Sequence, residues 1–209
     1  LTPILIPQPL LDTTYAGQPI ASDWQSAMPP PDAFAFYLPY HHYFPTWWGV
    51  YIVLERAQEL ARVLAERTKG QLSEGQALKM VRLFLYAHEA FHHRVESFAT
   101  RLEITHRKAI YRTGFKKHFE RTRDKDSCIE ELLATAYAYR RVKERFAFDN
   151  PGQARAALAA LVSYIEECPP GYRRAPVAFK DSAFDRMLHE FAEANLHDSI
   201  SGLEQKAAT

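Results

Sequence analysis

The sequence is short of cysteine, of net charge and of long apolar runs. Its 209 residues include only two cysteines, Cys128 and Cys168. A chain of this length does not need a disulfide for stability, so we expect a reducing compartment, the cytoplasm. The 26 basic and 25 acidic side chains leave a net charge of +1, which does not favour nucleic acid as a partner. No apolar run approaches the ~18 residues of a membrane span, and the first residues lack the basic start of a signal peptide, so we expect a soluble protein away from membranes.

Proline is missing from the middle of the chain. Nine of the 13 prolines lie at or before Pro45, and none lies between Thr46 and Asn150. Because proline interrupts helices, this distribution predicts an extended lead, rich in proline and aromatic residues, over 1–50 and a helical body over 51–200. The length and the 47% hydrophobic content are those of one domain, 1–209.

The apolar pattern predicts the elements of this fold. Two segments rich in aromatic and β-branched residues, 33–40 and 48–52, predict one or two short strands. Apolar residues at helical spacing predict helices over 54–69, 73–103, 127–146, 151–167 and 181–196. Residues 104–126 mix charges without a clear period, which predicts a loop or a short irregular helix. The expected fold class is therefore mainly α, with a small β part (α+β).

Capping residues support three of these helix starts. Ser73 with Gln76, and Ser127 with Glu130, have the spacing of capping boxes. In a capping box the side chain of each of the two residues accepts a hydrogen bond from the backbone N–H of the other. Asn150 precedes a proline, which is favoured in the first turn of a helix.

The predicted central helix carries the pattern HExxH, as His88, Glu89 and His92. Histidines one turn apart project from the same face, and their ring nitrogens are suited to hold one Zn²⁺. The glutamate between them is then placed to act on water at the metal. The metzincin continuation is absent, because Val95 and Phe98 stand where glycine and histidine would be required.

Catalytic zinc needs a third protein ligand. Glu96 continues the row of the two histidines but lies ~12 Å along the axis from His88, too far for one ion, so we expect it to be an outer or solvated residue. The helix over 127–146 offers Glu130 and Glu131. On a helical wheel Glu131 falls in an apolar sector, whereas Glu130 falls beside arginines and is the expected capping partner of Ser127. We therefore favour Glu131 as the ligand and keep Glu130 as the alternative.

The segments HEAFHHRVE and EELLATAYAYR resemble the gluzincin metallopeptidases, which include the thermolysin-like and the compact ImmA/IrrE-type enzymes. The resemblance covers roughly residues 75–145 and implies a zincin-like helical core, a Zn²⁺ cofactor and hydrolysis of peptide bonds in a protein or peptide substrate. It implies two histidine ligands, a glutamate ligand and a glutamate general base, here His88, His92, Glu131 and Glu89. In the ImmA/IrrE-type pattern alanine commonly follows the ligand glutamate, but here Leu132 follows, so no subfamily or substrate is transferred.

Hydrolysis of an amide usually needs a donor for the developing oxyanion. The candidates are Tyr172 and Arg173 in the turn PPGYRRA, and His189 or His197 on the last helix.

Two further segments carry alternative interpretations. The aromatic run over 37–51 is suited to wall a substrate cleft or bind peptide by strand addition, although core packing is favoured. Residues 106–126 contain eight basic and three acidic side chains, a local net charge of 8 − 3 = +5. This segment is a candidate surface for an acidic partner, although a solvated loop is favoured.

Two rival functions remain open. A di-iron helical bundle would use Glu89 and His92 as an ExxH unit, but it needs a second unit on another helix, and Glu103 with His106 lies on the same predicted helix. A non-enzymatic regulatory or binding module would keep the metal for stability and use the basic segment to bind its partner.

Overall fold

The computed structural model describes residues 33–44 and 47–207, with side chains described as far as Leu196. Most of the predicted lead, 1–32, lies outside the described residues. The described chain forms two strands and seven α-helices in the order β1 (Ala35–Leu38), α1 (Tyr40–Tyr43), β2 (Gly49–Ile52), α2 (Leu54–Arg67), α3 (Glu74–His106), α4 (Lys116–Thr122), α5 (Ile129–Arg145), α6 (Pro151–Glu167) and α7 (Asp181–Ala207). A π-helical turn (Tyr111–Phe115) leads into α4, and a 3₁₀ segment (Tyr172–Ala178) precedes α7. The prediction of a mainly helical fold with a small sheet is confirmed.

The two short strands predicted for the lead pair with each other in antiparallel register. Tyr37 lies opposite Val50, and the N–H of Val53 donates to the carbonyl oxygen of Phe34 (3.0 Å). Hydrogen-bonded pairs alternate along antiparallel strands, so Ala35 and Tyr37 direct their backbone N–H and C=O groups away from β2. β1 therefore keeps an edge that β2 does not use.

The 33-residue helix α3 is the centre of the fold and packs between α2 and α5. The capping box of Ser73 and Gln76 at its start is confirmed. Part of its surface joins the apolar core, through Met80, Phe84, Phe91 and Val95. The same helix also buries four ionisable side chains, which are His88, Glu89, Glu96 and Glu103. Buried charges are costly unless they are paired, so these four side chains indicate a candidate functional site on α3.

The sequence predicts a loop or a short irregular helix over 104–126. The structure shows an irregular helix in the part of this segment that follows α3. The chain leaves α3 through Arg107 in the left-handed region (φ 53°) and then forms the π-helical turn and α4. Phe115, at the end of the π-helical turn, is buried in the core and packs against Phe191 of α7. This contact anchors the segment, although most of its side chains are polar.

The prediction of a capping box formed by Ser127 and Glu130 is wrong. α5 begins at Ile129, its N-cap is Cys128, and no side chain caps it. Glu130 instead turns inward and contacts His92 (2.8 Å). A carboxylate gains more from a buried imidazole than from an exposed amide, because the surrounding dielectric is low.

The later helix starts agree with the sequence. The side chain of Asn150 accepts from the N–H of Gln153, and Pro151 occupies the first turn of α6. α7 begins at Asp181 as predicted but continues to Ala207, beyond the predicted end at 196.

Candidate metal centre

Packing of α5 against α3 brings a glutamate to the two histidines of the HExxH motif. The Nε2 atoms of His88 and His92 lie 3.3 Å apart, and Oε2 of Glu131 lies 3.0 Å from the first and 3.7 Å from the second. Ligand atoms about 2.0 to 2.1 Å from a tetrahedral zinc lie roughly 3.3 Å from one another. These three side chains, called the metal triad below, could therefore hold a metal ion.

The other ring nitrogen of each histidine has a partner on α5. Nδ1 of His92 lies 2.8 Å from a carboxylate oxygen of Glu130, and Nδ1 of His88 lies 3.3 Å from the hydroxyl of Thr135. A proton on each Nδ1 satisfies these contacts and leaves both Nε2 lone pairs directed at the triad. The sequence offered Glu130 only as a cap or an alternative ligand, and it gave no sign of the role of Thr135.

Charge pairing compensates the burial of the metal triad. Burial lowers the pKa of His92, but the carboxylates of Glu131 and Glu130 outweigh it and raise this pKa well above its usual range. Burial raises the pKa of Glu131, but His92 and His88 outweigh it and lower the pKa below its usual range. A bound cation would take the place of the imidazole proton, so metal affinity is expected to fall at acidic pH.

Glu89 lies beside the metal triad without joining it. The residue lines the same cavity as the triad and is 8% exposed. Burial raises its pKa, against the opposing charges of His88 and His92. The backbone N–H of Tyr37, on the free edge of β1, donates to this carboxylate. The arrangement gives Glu89 access to the cavity and a fixed orientation.

The 3₁₀ segment brings one of the predicted oxyanion donors to the metal triad. The ring of Tyr172 stacks on His88, with ring centroids 5.5 Å apart and planes 14° apart, and its hydroxyl bonds to Glu131. Burial and the nearby Glu131 raise the pKa of Tyr172, so it is a hydroxyl donor at neutral pH. Gly171 permits this approach: its φ is +92°, and a Cβ there would lie 3.3 Å from Cβ of Glu131.

The structure does not bring Arg173 or His189 to the metal triad. Arg173 is an exposed residue that forms two hydrogen bonds with the carboxylate of Asp126, at 3.0 and 2.6 Å. His189 lies on the exposed side of α7, 3.1 Å from Glu193. The side chain of His197 lies outside the described residues.

The metal triad opens into a cavity of about 720 Å³. β1 and α1 form one wall, and the π-helical turn with α4 forms another. The aromatic run contributes both to the wall of this cavity and to the packing on α3. Phe36, Tyr37 and Tyr43 line the cavity, while Tyr40 is buried against α3.

A second buried polar cluster lies farther along α3, and the sequence did not reveal it. Glu96 is fully buried rather than solvated and accepts from Nδ1 of His41 (2.6 Å) and from the hydroxyl of Tyr37. Nε2 of His41 lies 2.8 Å from Glu103. Burial lowers the pKa of His41, but hydrogen bonds to Glu103 and Glu96 raise it to about 9. This cluster fastens the lead to α3 and so holds one wall of the cavity.

The second ExxH pair has a different environment from the first. Glu103 is occupied by His41 and by the N–H of Tyr111 (2.8 Å), and His106 is exposed at the end of α3. Among the described residues, the metal triad is the only group of His, Cys, Asp or Glu side chains with suitable spacing for an ion. The described structure therefore does not favour a di-iron bundle.

No protein-family model, no curated protein and no solved structure matches this chain. The gluzincin resemblance therefore stays a prediction from the motifs. In the described part of the chain, none of the helices has both the length and the apolar character needed to cross a membrane.

Proposed function

We propose that this protein is a zinc-dependent peptidase. The observation that carries the proposal is the convergence of three donor atoms, from His88, His92 and Glu131, in a cavity that Glu89 also lines. Two imidazole nitrogens and one carboxylate oxygen are a ligand set typical of catalytic zinc, which keeps a further position open. When bound, zinc supplies a Lewis acid that polarises a carbonyl and lowers the pKa of water.

The protein's own side chains supply the proton transfers. The carboxylate of Glu89 takes the proton of the attacking water and delivers it to the nitrogen of the leaving amine. The hydroxyl of Tyr172, held beside the metal triad, donates a hydrogen bond to the oxygen on which negative charge develops. Glu130 and Thr135 keep the two imidazole rings in their orientation throughout.

The free edge of β1 supports a peptide as the substrate. Ala35 and Tyr37 turn their backbone groups away from β2, and both residues line the cavity. An extended peptide can add to such an edge through backbone hydrogen bonds, which recognise any sequence. The N–H of Tyr37 on this edge already donates to Glu89, so a peptide would pair with the remaining backbone groups of Ala35 and Tyr37 and would lie beside the general base.

Metal-dependent hydrolysis tests the proposal. The protein, stripped with a chelator, is titrated with zinc and assayed on an unfolded protein such as casein. We expect one equivalent of zinc per chain and hydrolysis that follows zinc occupancy. Magnesium, which prefers oxygen ligands, serves as the control and should restore nothing. Zinc binding without hydrolysis of any substrate would favour the non-enzymatic module, and purification with iron would favour the di-iron chemistry.

We also propose the cytoplasm as the site of action. Both cysteines are free thiols, with Cys128 buried and Cys168 partly buried. Unpaired thiols are typical of proteins that work in a reducing compartment.

A further inference from the structure

Three nitrogen-bearing side chains line one end of the cavity. They are His42 on α1, Arg112 in the π-helical turn and Lys116 at the start of α4. Nζ of Lys116 donates to Nε2 of His42 (3.0 Å), and Arg112 donates to the carbonyl oxygen of His41 (2.9 Å). These bonds cross from one wall of the cavity to the other and hold the three groups close together.

The positive charge of this group is only partly compensated. Lys116 lies 3.7 Å from Glu120, and the two side chains are 39% and 55% exposed, so this pair is weak. Within the described residues, Arg112 forms no ion pair with a carboxylate. The nearby rim residues Arg123 and Asp124 pair with each other (3.4 Å). Arg112 and Lys116 therefore line the cavity, and among the described residues Glu120, which also lines it, is the one carboxylate that pairs with either of them.

His42 accepts a hydrogen bond from Lys116 and adds no third charge. Burial, together with the charges of Lys116 and Arg112, lowers the pKa of His42 to about 4, so its ring is neutral at neutral pH. Because Nε2 accepts from Lys116, the ring proton is assigned to Nδ1.

We propose that Arg112, Lys116 and His42 form a subsite that binds a carboxylate of the peptide substrate. The proposal rests on the peptidase function and deepens it, since it names the substrates as peptides with an acidic group near the scissile bond. The acidic group is an Asp or Glu side chain or the free carboxyl end of the peptide. Charged N–H donors bind a carboxylate in short, strong hydrogen bonds.

The distance from the metal triad limits where the carboxylate can lie. The ring of Phe119 packs against His92, with centroids 6.1 Å apart. Lys116 precedes Phe119 by about 4.5 Å along the helix axis, and Arg112 lies about one turn farther. An extended peptide advances about 3.3 Å per residue. We therefore expect the carboxylate one to three residues from the bond that is cleaved.

The test compares matched peptides on the zinc-loaded protein. One set of fluorogenic peptides carries Glu or Gln at each of three positions on either side of the scissile bond, with amidated ends. A second set has no acidic side chain and carries a free or an amidated carboxyl end. The measured quantity is the ratio of kcat/KM between the acidic and the neutral member of each pair. The two sets distinguish a side chain from a chain end as the source of the carboxylate.

Variants connect any preference to the subsite. The double variant Arg112→Gln, Lys116→Gln is compared with Lys117→Gln, which changes an exposed lysine of the same helix that does not line the cavity. We expect wild type and Lys117→Gln to favour one acidic peptide by about tenfold, and the double variant by less than about twofold. The preference should also weaken as salt is added. Zinc content and circular dichroism show whether the variants remain folded.

Failure of the subsite and failure of the peptidase function give different results. Zinc-dependent hydrolysis without an acidic preference, or with a preference that survives in the double variant, overturns the subsite and leaves the peptidase. Binding of the same peptides to zinc-loaded Glu89→Gln, followed by fluorescence anisotropy, gives a readout that needs no hydrolysis. If no peptide is cleaved but acidic peptides bind in a manner that requires Arg112 and Lys116, the subsite stands and the peptidase function does not.

Discussion

The adjacent glutamates of α5 should contribute to metal binding in different ways. Glu131 contacts the Nε2 atoms of both histidines, whereas Glu130 contacts only Nδ1 of His92. Glu131→Gln therefore removes a charged ligand, and Glu130→Gln removes only the charge that orients a ligand. Both residues are 7% exposed, so a difference between the two variants does not reflect a difference in burial.

The size of each effect follows from these contacts. Structural zinc sites with four ligands bind with about 10 to 16 kcal/mol, or about 2.5 to 4 kcal/mol per ligand. Loss of Glu131 should then weaken zinc binding by at least 10² to 10³-fold, at about 1.4 kcal/mol per tenfold. Loss of an outer partner typically costs about 10 to 100-fold, and glutamine can still accept from Nδ1. We therefore expect Glu130→Gln to cost about tenfold.

Competition with a chromophoric chelator measures the zinc affinities of the wild type, Glu131→Gln and Glu130→Gln. Glu144→Gln is the matched control, because Glu144 lies on the same helix but is exposed and pairs with Arg141 (2.8 Å); its zinc affinity should be that of the wild type. If Glu130→Gln released the metal and Glu131→Gln kept it, the two roles would have to be exchanged. If Glu130→Gln bound zinc as tightly as wild type, the orienting role of Glu130 would be wrong.

Three further variants, two of them with a control variant, test the surroundings of the metal triad and the neighbouring cluster of His41. Hydrogen bonds to two buried carboxylates raise the pKa of His41 to about 9, against burial, which lowers it. The stabilisation by protonated His41 is complete below the unfolded pKa of about 6.5 and is lost as the pH rises to about 9. His41→Gln should therefore lower the free energy of unfolding by roughly 3 kcal/mol more at pH 6 than at pH 9.5. Urea unfolding of the metal-free protein measures this difference. Equal costs at both pH values would contradict this. Gly171→Ala and Gly70→Ala both place a side chain at positive φ, but only the new Cβ at residue 171 meets neighbouring atoms within 4 Å. Each substitution should lower the free energy of unfolding by about 1 kcal/mol, and only Gly171→Ala should weaken zinc binding. Tyr172→Phe should lower kcat about 10-fold or more with zinc content unchanged, whereas Arg173→Gln should leave kcat unchanged; equal effects would remove the hydroxyl from the chemistry.

The parts of the structure that could be predicted are set by short-range rules. The spacing of the HExxH motif fixes two histidines on one face of a helix, and caps such as Ser73 and Asn150 mark helix starts. The wheel of α5 favoured Glu131, which is the glutamate of the metal triad. These features need no knowledge of which helices pack together. The wheel placed Glu130 beside arginines, whereas Glu130 is equally buried and contacts His92.

The parts that could not be predicted depend on contacts between distant residues. His41 and Glu96 are 55 residues apart in the chain, and no local pattern connects them. The sequence predicts an outer or solvated Glu96 because this residue lies too far along the helix axis from His88 to share one ion. Only the fold supplies the histidine that allows it to be buried. Glu130 has the same explanation. Its spacing from Ser127 predicts a helix cap, and only the packing of α5 on α3 brings it to His92.

We propose that Glu89 moves a proton and does not hold the metal, and the variant Glu89→Gln tests this role most directly. Glutamine has the same size and cannot accept the proton of the attacking water. Zinc content, measured by elemental analysis, should stay near one equivalent per chain, while hydrolysis under zinc saturation should fall by roughly 10² to 10⁴-fold. Retained zinc with undiminished hydrolysis would contradict the general base, and loss of the metal would show that Glu89 is itself a ligand.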